Sequence, residues 1–176
     1  PRNRALRLMR TCQAVHIAGD QHLGSTVQYG IDEWNDGSYA ICTPAISNVF
    51  PRRWFPPEEG KNRKQGQQRN MGEFVDGFGN KMTVYAVANP ARFGVAPAAV
   101  NERAPGFGVV EFDKSARTIT MTNYARWTDL AQAGAKPYPG WPITIAESDN
   151  GLNGAKFELA LPAKVEGVVE VFAEGQ

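Results

Sequence analysis

The stretch that decides the fold lies near the start of the chain, where residues 14–24 read AVHIAGDQHLG. A short apolar run that ends at a glycine is typical of a buried strand, so we expect a strand over residues 14–19. Asp20 and His22 follow directly past its carboxyl end, two residues apart. In open α/β sheets this edge is where ligands bind. The sequence therefore places two potential metal ligands on one loop.

Spacing alone leaves two interpretations of this pair. Imidazole nitrogen and carboxylate oxygen both bind divalent metals, so Asp20 and His22 fit a mixed-ligand metal site. In the other interpretation Asp20 caps a turn and His22 donates to a backbone carbonyl. His16 lies inside the strand run, and we expect a core or sheet-face residue there rather than a ligand. Two ligands do not complete a site, so any others would be carboxylates or would come from sequence not present here.

Length and composition bound the class of protein. The 176 residues are enough for one domain with a sizeable core. Nineteen basic and 18 acidic side chains give a net charge of +1, so neither nucleic acid nor an anionic membrane is an expected partner. No apolar run approaches the roughly 18 residues of a membrane span. Cys12 and Cys42 are the only cysteines, and we expect two buried free thiols.

The remaining pattern predicts one helix followed by short strands. Residues 4–12 form the helix candidate, with Leu6 and Met9 on an apolar stripe and the neighbouring arginines facing water. Asp36-Gly37 is a hairpin turn signal between strand-like runs. Residues 45–81 show no regular periodicity, and a loop of that length is usually functional or disordered. The further strands expected are residues 82–88, 107–112, 117–124, 143–145, 156–161 and 165–173.

Two arginines in the long loop are candidates for binding an anion. Arg52 and Arg53 precede Trp54 in a segment rich in proline and aromatic residues. Arginine binds phosphate or carboxylate through paired hydrogen bonds better than lysine does. A solvated loop with a cation–π contact to Trp54 is equally compatible with this pattern. Asp76, which precedes a glycine, is expected to be a turn residue.

Several motifs together resemble those of the alkaline phosphatase D-like metallophosphoesterases, a branch of the calcineurin-like superfamily. They are spread over most of residues 5–145, at Ile17–His22, Cys42–Ala45, Pro51–Pro56, Asp76–Asn80 and Pro139–Pro142. The first of these is similar to the family's late metal-binding motif, which in the superfamily usually reads Gly-His-x-His.

The resemblance implies a two-metal hydrolase of small-molecule phosphate esters, with manganese, iron, calcium or zinc as candidate metal ions. It implies that His22 is a metal ligand and that Asp20 either ligates or orients. The family's earlier motifs, which supply a bridging aspartate and an Asn-His pair, have no counterpart here. We therefore expect the C-terminal portion of a longer enzyme, inactive without the missing N-terminal half of the same chain. The opening at Pro1, with no initiator methionine, agrees with a cut end.

The fold class expected is α/β. By the resemblance it is the C-terminal part of a calcineurin-like β-sandwich, mostly β, with a flanking helix and long loops. Residues 1–150 would belong to the phosphoesterase domain, and residues 151–176 would be terminal strands or the start of a small β module. The alternative function is a non-catalytic β-rich binding module, with Trp34, Trp54 and Trp141 as a flat aromatic platform.

Overall fold

A computed structural model describes residues 1–90 and 100–151 of the chain, and in this part the protein is mostly β-strand, in two sheets with one α-helix. The helix, α1, spans Arg2–Thr11. The strands are β1 His16–Ala18, β2 Ser25–Tyr29, β3 Tyr39–Cys42, β4 Gly72–Val75, β5 Lys81–Val87, β6 Gly106–Asp113, β7 Thr118–Ala125 and β8 Ile143–Ala146. Short 3₁₀ helices lie at Val100–Arg103 and Glu147–Asn150. The coarse α/β prediction holds for these residues.

The larger sheet has the strand order β1-β3-β2-β5-β4. Its one parallel pair joins β1 to β3, with Ile17 opposite Ile41, and its other neighbours are antiparallel. Because Asp20 and His22 follow β1, this order places their loop beside the end of β3. The predicted loop position past a strand end is therefore confirmed.

The smaller sheet, β6-β7-β8, is antiparallel and packs on one face of the larger sheet. Their shared core contains Tyr39 and Ile41 from β3 together with Ile119, Met121 and Ile145. Ile41 and Met121 are fully buried. Alternate residues of a strand point to opposite faces, so β3 turns Tyr39 and Ile41 to the core and Ala40 and Cys42 to the outer face.

The helix packs through Leu6 and is also fixed by two of its arginines. Arg2 donates to the carbonyl oxygens of Gly30 and Lys81, at 2.9 and 3.1 Å. Arg10 pairs with the buried carboxylate of Asp36 at 3.7 Å. The helix prediction is confirmed, but the expectation that all its arginines face water is wrong. The guanidinium groups donate to carbonyl and carboxylate oxygens at the sheet end, and a stripe of apolar residues does not reveal these contacts.

The expectation of a buried first strand is wrong. His16 and Ile17 are exposed, and Ile17 retains 53% of its accessible surface. The reason is position, because β1 lies at the edge of its sheet and has one strand neighbour, β3, among the described residues. An apolar run occurs both in central strands, which are buried on both faces, and in edge strands such as β1. The run by itself does not distinguish the two positions. Cys12 is likewise exposed rather than buried, although both thiols are free as expected.

The β2–β3 hairpin is confirmed, but its turn differs from the prediction. The strands end at Tyr29 and resume at Tyr39, so the connection is longer than an Asp-Gly turn. Asp36 is buried, and its carboxylate accepts hydrogen bonds from the backbone N–H groups of Ile31 and Asp32 at 2.6 and 2.9 Å. It therefore organises the loop from inside instead of forming its tip.

The strands predicted over residues 82–88, 107–112, 117–124 and 143–145 correspond to β5, β6, β7 and β8. Strand β4 was not predicted, because it lies in the stretch without periodicity. It pairs with β5 through a turn in which the Asp76 carboxylate accepts from the backbone N–H groups of Phe78 and Asn80. Asp76 is therefore a turn residue, as predicted. The predicted strands 156–161 and 165–173 lie outside the described residues, as does nearly all of the proposed 151–176 unit. None of the described helices has the length and apolar character needed to cross a membrane.

Candidate functional site

The loop between β1 and β2 reverses direction through two residues in the left-handed region. Asp20 has φ 67° and His22 has φ 55°. A positive φ is uncommon outside glycine and costs about 1 kcal/mol or more, so surrounding contacts must hold it. Those contacts include a hydrogen bond from Ala88 N to Gly24 O at 2.8 Å and one from Arg52 N to His22 O at 3.2 Å. The β1–β2 loop is therefore fixed on one side by the larger sheet and on the other by the long loop of residues 45–81.

The imidazole of His22 has a defined hydrogen-bond partner. Its Nδ1 lies 2.8 Å from the carbonyl oxygen of Phe50. A carbonyl oxygen only accepts, so Nδ1 carries the proton and the neutral ring keeps its Nε2 lone pair. This is the arrangement found in metal-ligating histidines, which donate their other ring N–H to a carbonyl or carboxylate. The same hydrogen bond agrees with the second interpretation, in which His22 donates to a backbone carbonyl. The two interpretations are compatible, because the bond uses one ring nitrogen and leaves the other.

Asp20 is exposed, and no described residue donates a hydrogen bond to its carboxylate. The turn-capping role is therefore not seen. The negative charge of Asp20 acts on the thiol of Cys42. Burial raises the pKa of this thiol, the hydrogen bond from the Gln21 backbone N–H lowers it, and the Asp20 carboxylate raises it further.

The structure brings Arg52 to this loop. Besides its backbone bond to His22 O, Arg52 directs its guanidinium to the side-chain oxygen of Gln21, at 3.5 Å. The guanidinium is exposed and therefore open to an anion. Arg53 follows it on the exposed face of the same segment, and its substrate-binding role stays a prediction.

The side chains around the loop do not make a complete metal site. Within residues 1–90 and 100–151, no group of three or more His, Cys, Asp or Glu side chains is placed to hold one. Structural and catalytic zinc sites take at least three protein ligands as a rule. His22 and Asp20 stay two predicted ligands on one loop, and the described residues do not add a third to them.

One feature near the loop was missed at the sequence level. Val49 and Phe50 are 53% and 77% exposed, beside the carbonyl that accepts from His22. The signal available in the sequence was the apolar pair directly before Pro51 and Arg52.

His16 lies on a sheet face, one of the two positions predicted for it. It is exposed on the outer face of the larger sheet, with Nδ1 3.0 Å from the hydroxyl of Tyr29. It lines a groove of about 270 Å³ that also includes Gly19 and Gln21 of the candidate loop. Its pairing with a residue of β2 depends on strand order, so no local sequence signal identifies it.

Each of the three tryptophans of the predicted aromatic platform is held by a hydrogen bond from its indole N–H group. The indole N–H groups of Trp34, Trp54 and Trp141 donate to Phe74 O, Asn70 O and Thr26 Oγ1. Trp141 is buried, whereas Trp34 and Trp54 line one groove of about 570 Å³. Trp54 also packs edge-on against Phe74, which anchors the loop to β4.

Comparison with known proteins adds no assignment to this geometry. Scans of protein-family models, of curated proteins and of solved structures each gave no match to the chain.

Proposed function

We propose that the loop carrying Asp20 and His22, with Arg52 beside it, forms one wall of a metal-dependent phosphoesterase site. The observation that carries the proposal is the hydrogen bond from His22 Nδ1 to Phe50 O, which leaves Nε2 as the free ligand atom. A structural histidine needs no carboxylate and no guanidinium next to it. Here both are present on or against the same loop.

In this proposal each residue has a distinct task. His22 holds a metal ion through Nε2, and Asp20 either ligates the same ion or orients a group bound to it. Arg52, with Arg53 as the second candidate, binds phosphoryl oxygens through paired hydrogen bonds. A pair of divalent ions, if bound there, would supply the hydroxide nucleophile and would polarise the phosphoryl group. The reaction class is hydrolysis of a phosphate monoester or diester.

The remaining ligands would come from a further segment, which we propose to be an N-terminal half of the same polypeptide within a calcineurin-like sandwich. Two observations support a neighbour at this flank. The outer edge of β1 is unpaired among the described residues, so its backbone N–H and C=O groups are available to a further strand. Ile17 on that strand is exposed. The 176 residues by themselves would then be inactive.

Histidine-detected NMR tests the metal-binding part directly. The chain has two histidines, so each ring reports separately and serves as a control for the other. Zinc added to the labelled chain should shift the ring signals of His22 with millimolar affinity and leave those of His16 within a tenth of that change. Asp20→Asn should weaken this binding if Asp20 ligates and leave it unchanged if Asp20 orients. An unmoved His22, or equal shifts of both rings, would contradict the proposal.

Hydrolysis assays test the second part. The chain should show no turnover of p-nitrophenyl phosphate or bis-p-nitrophenyl phosphate with manganese, iron or calcium ions. Robust turnover abolished by His22→Ala would show instead that the site is complete without further ligands.

One observation favours a second candidate function, a non-catalytic binding module. Trp34 and Trp54 line the same groove, next to Phe74. The third tryptophan of the predicted platform, Trp141, is buried and does not take part. If His22 does not respond to zinc, this groove is the next site to examine, with aromatic or proline-rich peptides as probes.

A further inference from the structure

A second site lies on the outer face of the larger sheet, next to the candidate loop. It is a groove of about 270 Å³ whose polar lining comes from His16, Gln21, Ser25 and Tyr29. Its floor is formed by small or apolar residues of β2 and β3, including Val27 and Ala40. Drug-sized ligands occupy cavities of about 300–1,000 Å³, so this groove suits a smaller molecule.

His16 is held in this groove by its neighbour on β2. Its Nδ1 lies 3.0 Å from the Tyr29 hydroxyl, and the Arg2 guanidinium lies 5.5 Å above the Tyr29 ring. Burial raises the pKa of Tyr29, so the phenol stays protonated at neutral pH. A phenol O–H is a stronger donor than a neutral imidazole N–H, so we expect it to donate to His16 Nδ1, which leaves Nε2–H as the donor that the ring offers to the groove.

The lining supplies several hydrogen-bonding side chains. They are the imidazole of His16, the phenol of Tyr29, the Ser25 hydroxyl and the Gln21 amide. No carboxylate and no lysine or arginine lines the groove among the described residues. Such a lining matches a small molecule rich in hydroxyl groups better than it matches a phosphate or an aromatic ring.

We infer that this groove binds the alcohol part of a small polyol phosphate ester, with His16 as a specificity-determining donor. The inference rests on the proposed function, because the groove begins at Gly19 and Gln21, on the same loop as His22. A phosphoryl group placed against His22 and Arg52 would extend its alcohol along the loop and towards His16.

Histidine ring signals again provide the readout, recorded near pH 8 with sn-glycerol 3-phosphate, inorganic phosphate and glycerol as separate probes. Glycerol 3-phosphate should shift His16 in a saturable manner. Inorganic phosphate at the same concentration should produce less than a fifth of that shift. A His16 signal that does not respond to glycerol 3-phosphate, or that responds equally to inorganic phosphate, would overturn the inference.

Two variants of β1 separate the groove from the strand that carries it. Ala18→Leu adds three carbons at a lining position and should weaken glycerol 3-phosphate binding at least fivefold. Ile17→Val, which alters the opposite face of the same strand, should leave it unchanged. Equal binding in both variants would overturn the inference, provided that circular dichroism shows both to be folded.

The outcomes also separate this inference from the proposed function. Zinc shifts at His22 without a His16 response to glycerol 3-phosphate would retain the metal site and remove the groove. A His16 response without zinc shifts at His22 would retain a polyol phosphate site and remove the phosphoesterase proposal that led to it.

Discussion

The imidazole of His22 and the backbone carbonyl of Phe50 are joined by a hydrogen bond of 2.8 Å across 28 residues of sequence. The bond depends on the long loop returning to the end of β1, where Arg52 N also bonds to His22 O. The two contacts run in opposite directions between the same two segments. They fix both the backbone of His22 and the plane of its ring, and so determine which nitrogen is available to a ligand.

This arrangement predicts opposite tautomers for the two histidines. His22 should carry its proton on Nδ1, because Phe50 O accepts there. His16 should carry it on Nε2, because the phenol O–H of Tyr29 is a stronger donor than an imidazole N–H and is expected to donate to Nδ1. Long-range ¹H–¹⁵N spectra at a pH of about 8.5, where imidazoles are neutral, distinguish the two forms. Tyr29→Phe should leave His22 unchanged and release the preference at His16. An Nε2–H form of His22 would count against its role as a ligand.

Arg52 should dominate anion binding at the loop. Hydrogen bonds to charged groups contribute about 1.5–3 kcal/mol, so Arg52→Ala should weaken binding of inorganic phosphate about tenfold. Arg126→Ala removes the same charge from an exposed position elsewhere and should change the affinity less than twofold. Phosphate titrations followed by NMR measure both, and equal losses would assign the effect to net charge. Arg53→Ala, measured alongside, decides whether the neighbouring arginine contributes.

Asn150 should contribute strongly to stability. It is fully buried, accepts from Tyr39 N at 2.6 Å and donates to Gln13 O at 2.8 Å. Removing its amide leaves both backbone groups unpaired in a buried position. Asn150→Ala should therefore lower the free energy of unfolding by about 2–4 kcal/mol, at about 1–3 kcal/mol for each unpaired group with partial relaxation. Asn35→Ala, at an exposed position, is the control, and urea unfolding followed by tryptophan fluorescence measures both.

Asp36 should make stability depend on pH in acid. Burial acts to raise its pKa, but the N–H groups of Ile31 and Asp32 and the charge of Arg10 outweigh burial and hold the pKa below its usual value. An aspartate with a lowered folded pKa contributes stability that is present above the unfolded value of about 3.9 and is lost as pH falls through the folded pKa.

The test compares Asp36→Asn with the unsubstituted chain by urea unfolding at several pH values. The variant should be less stable at pH 6, and the difference should shrink as pH falls towards about 3. Asp32→Asn, at an exposed carboxylate, should show a difference that hardly changes with pH. A constant difference for Asp36→Asn would mean that its hydrogen bonds do not depend on its charge.

The sequence was sufficient where the signal is local. The helix stripe around Leu6 predicts α1, and the alternation over residues 118–122 predicts β7 and the face that Ile119 and Met121 bury. Both patterns reflect the 3.6-residue and 2-residue periods of regular structure, which need no knowledge of distant residues. The same reasoning predicted that Asp20 and His22 lie just past a strand end, because that position also depends on neighbouring residues alone.

Tertiary structure alone decided which of these residues meet. Strand order makes β1 an exposed edge instead of a buried strand, since its one described neighbour is β3. Loop return brings Arg52 and the Phe50 carbonyl to His22, and the pairing of strands brings Tyr29 to His16. Each of these contacts joins residues that are far apart in the chain. Their proximity is set by the packing of whole sheets and loops, which no local pattern of residues encodes.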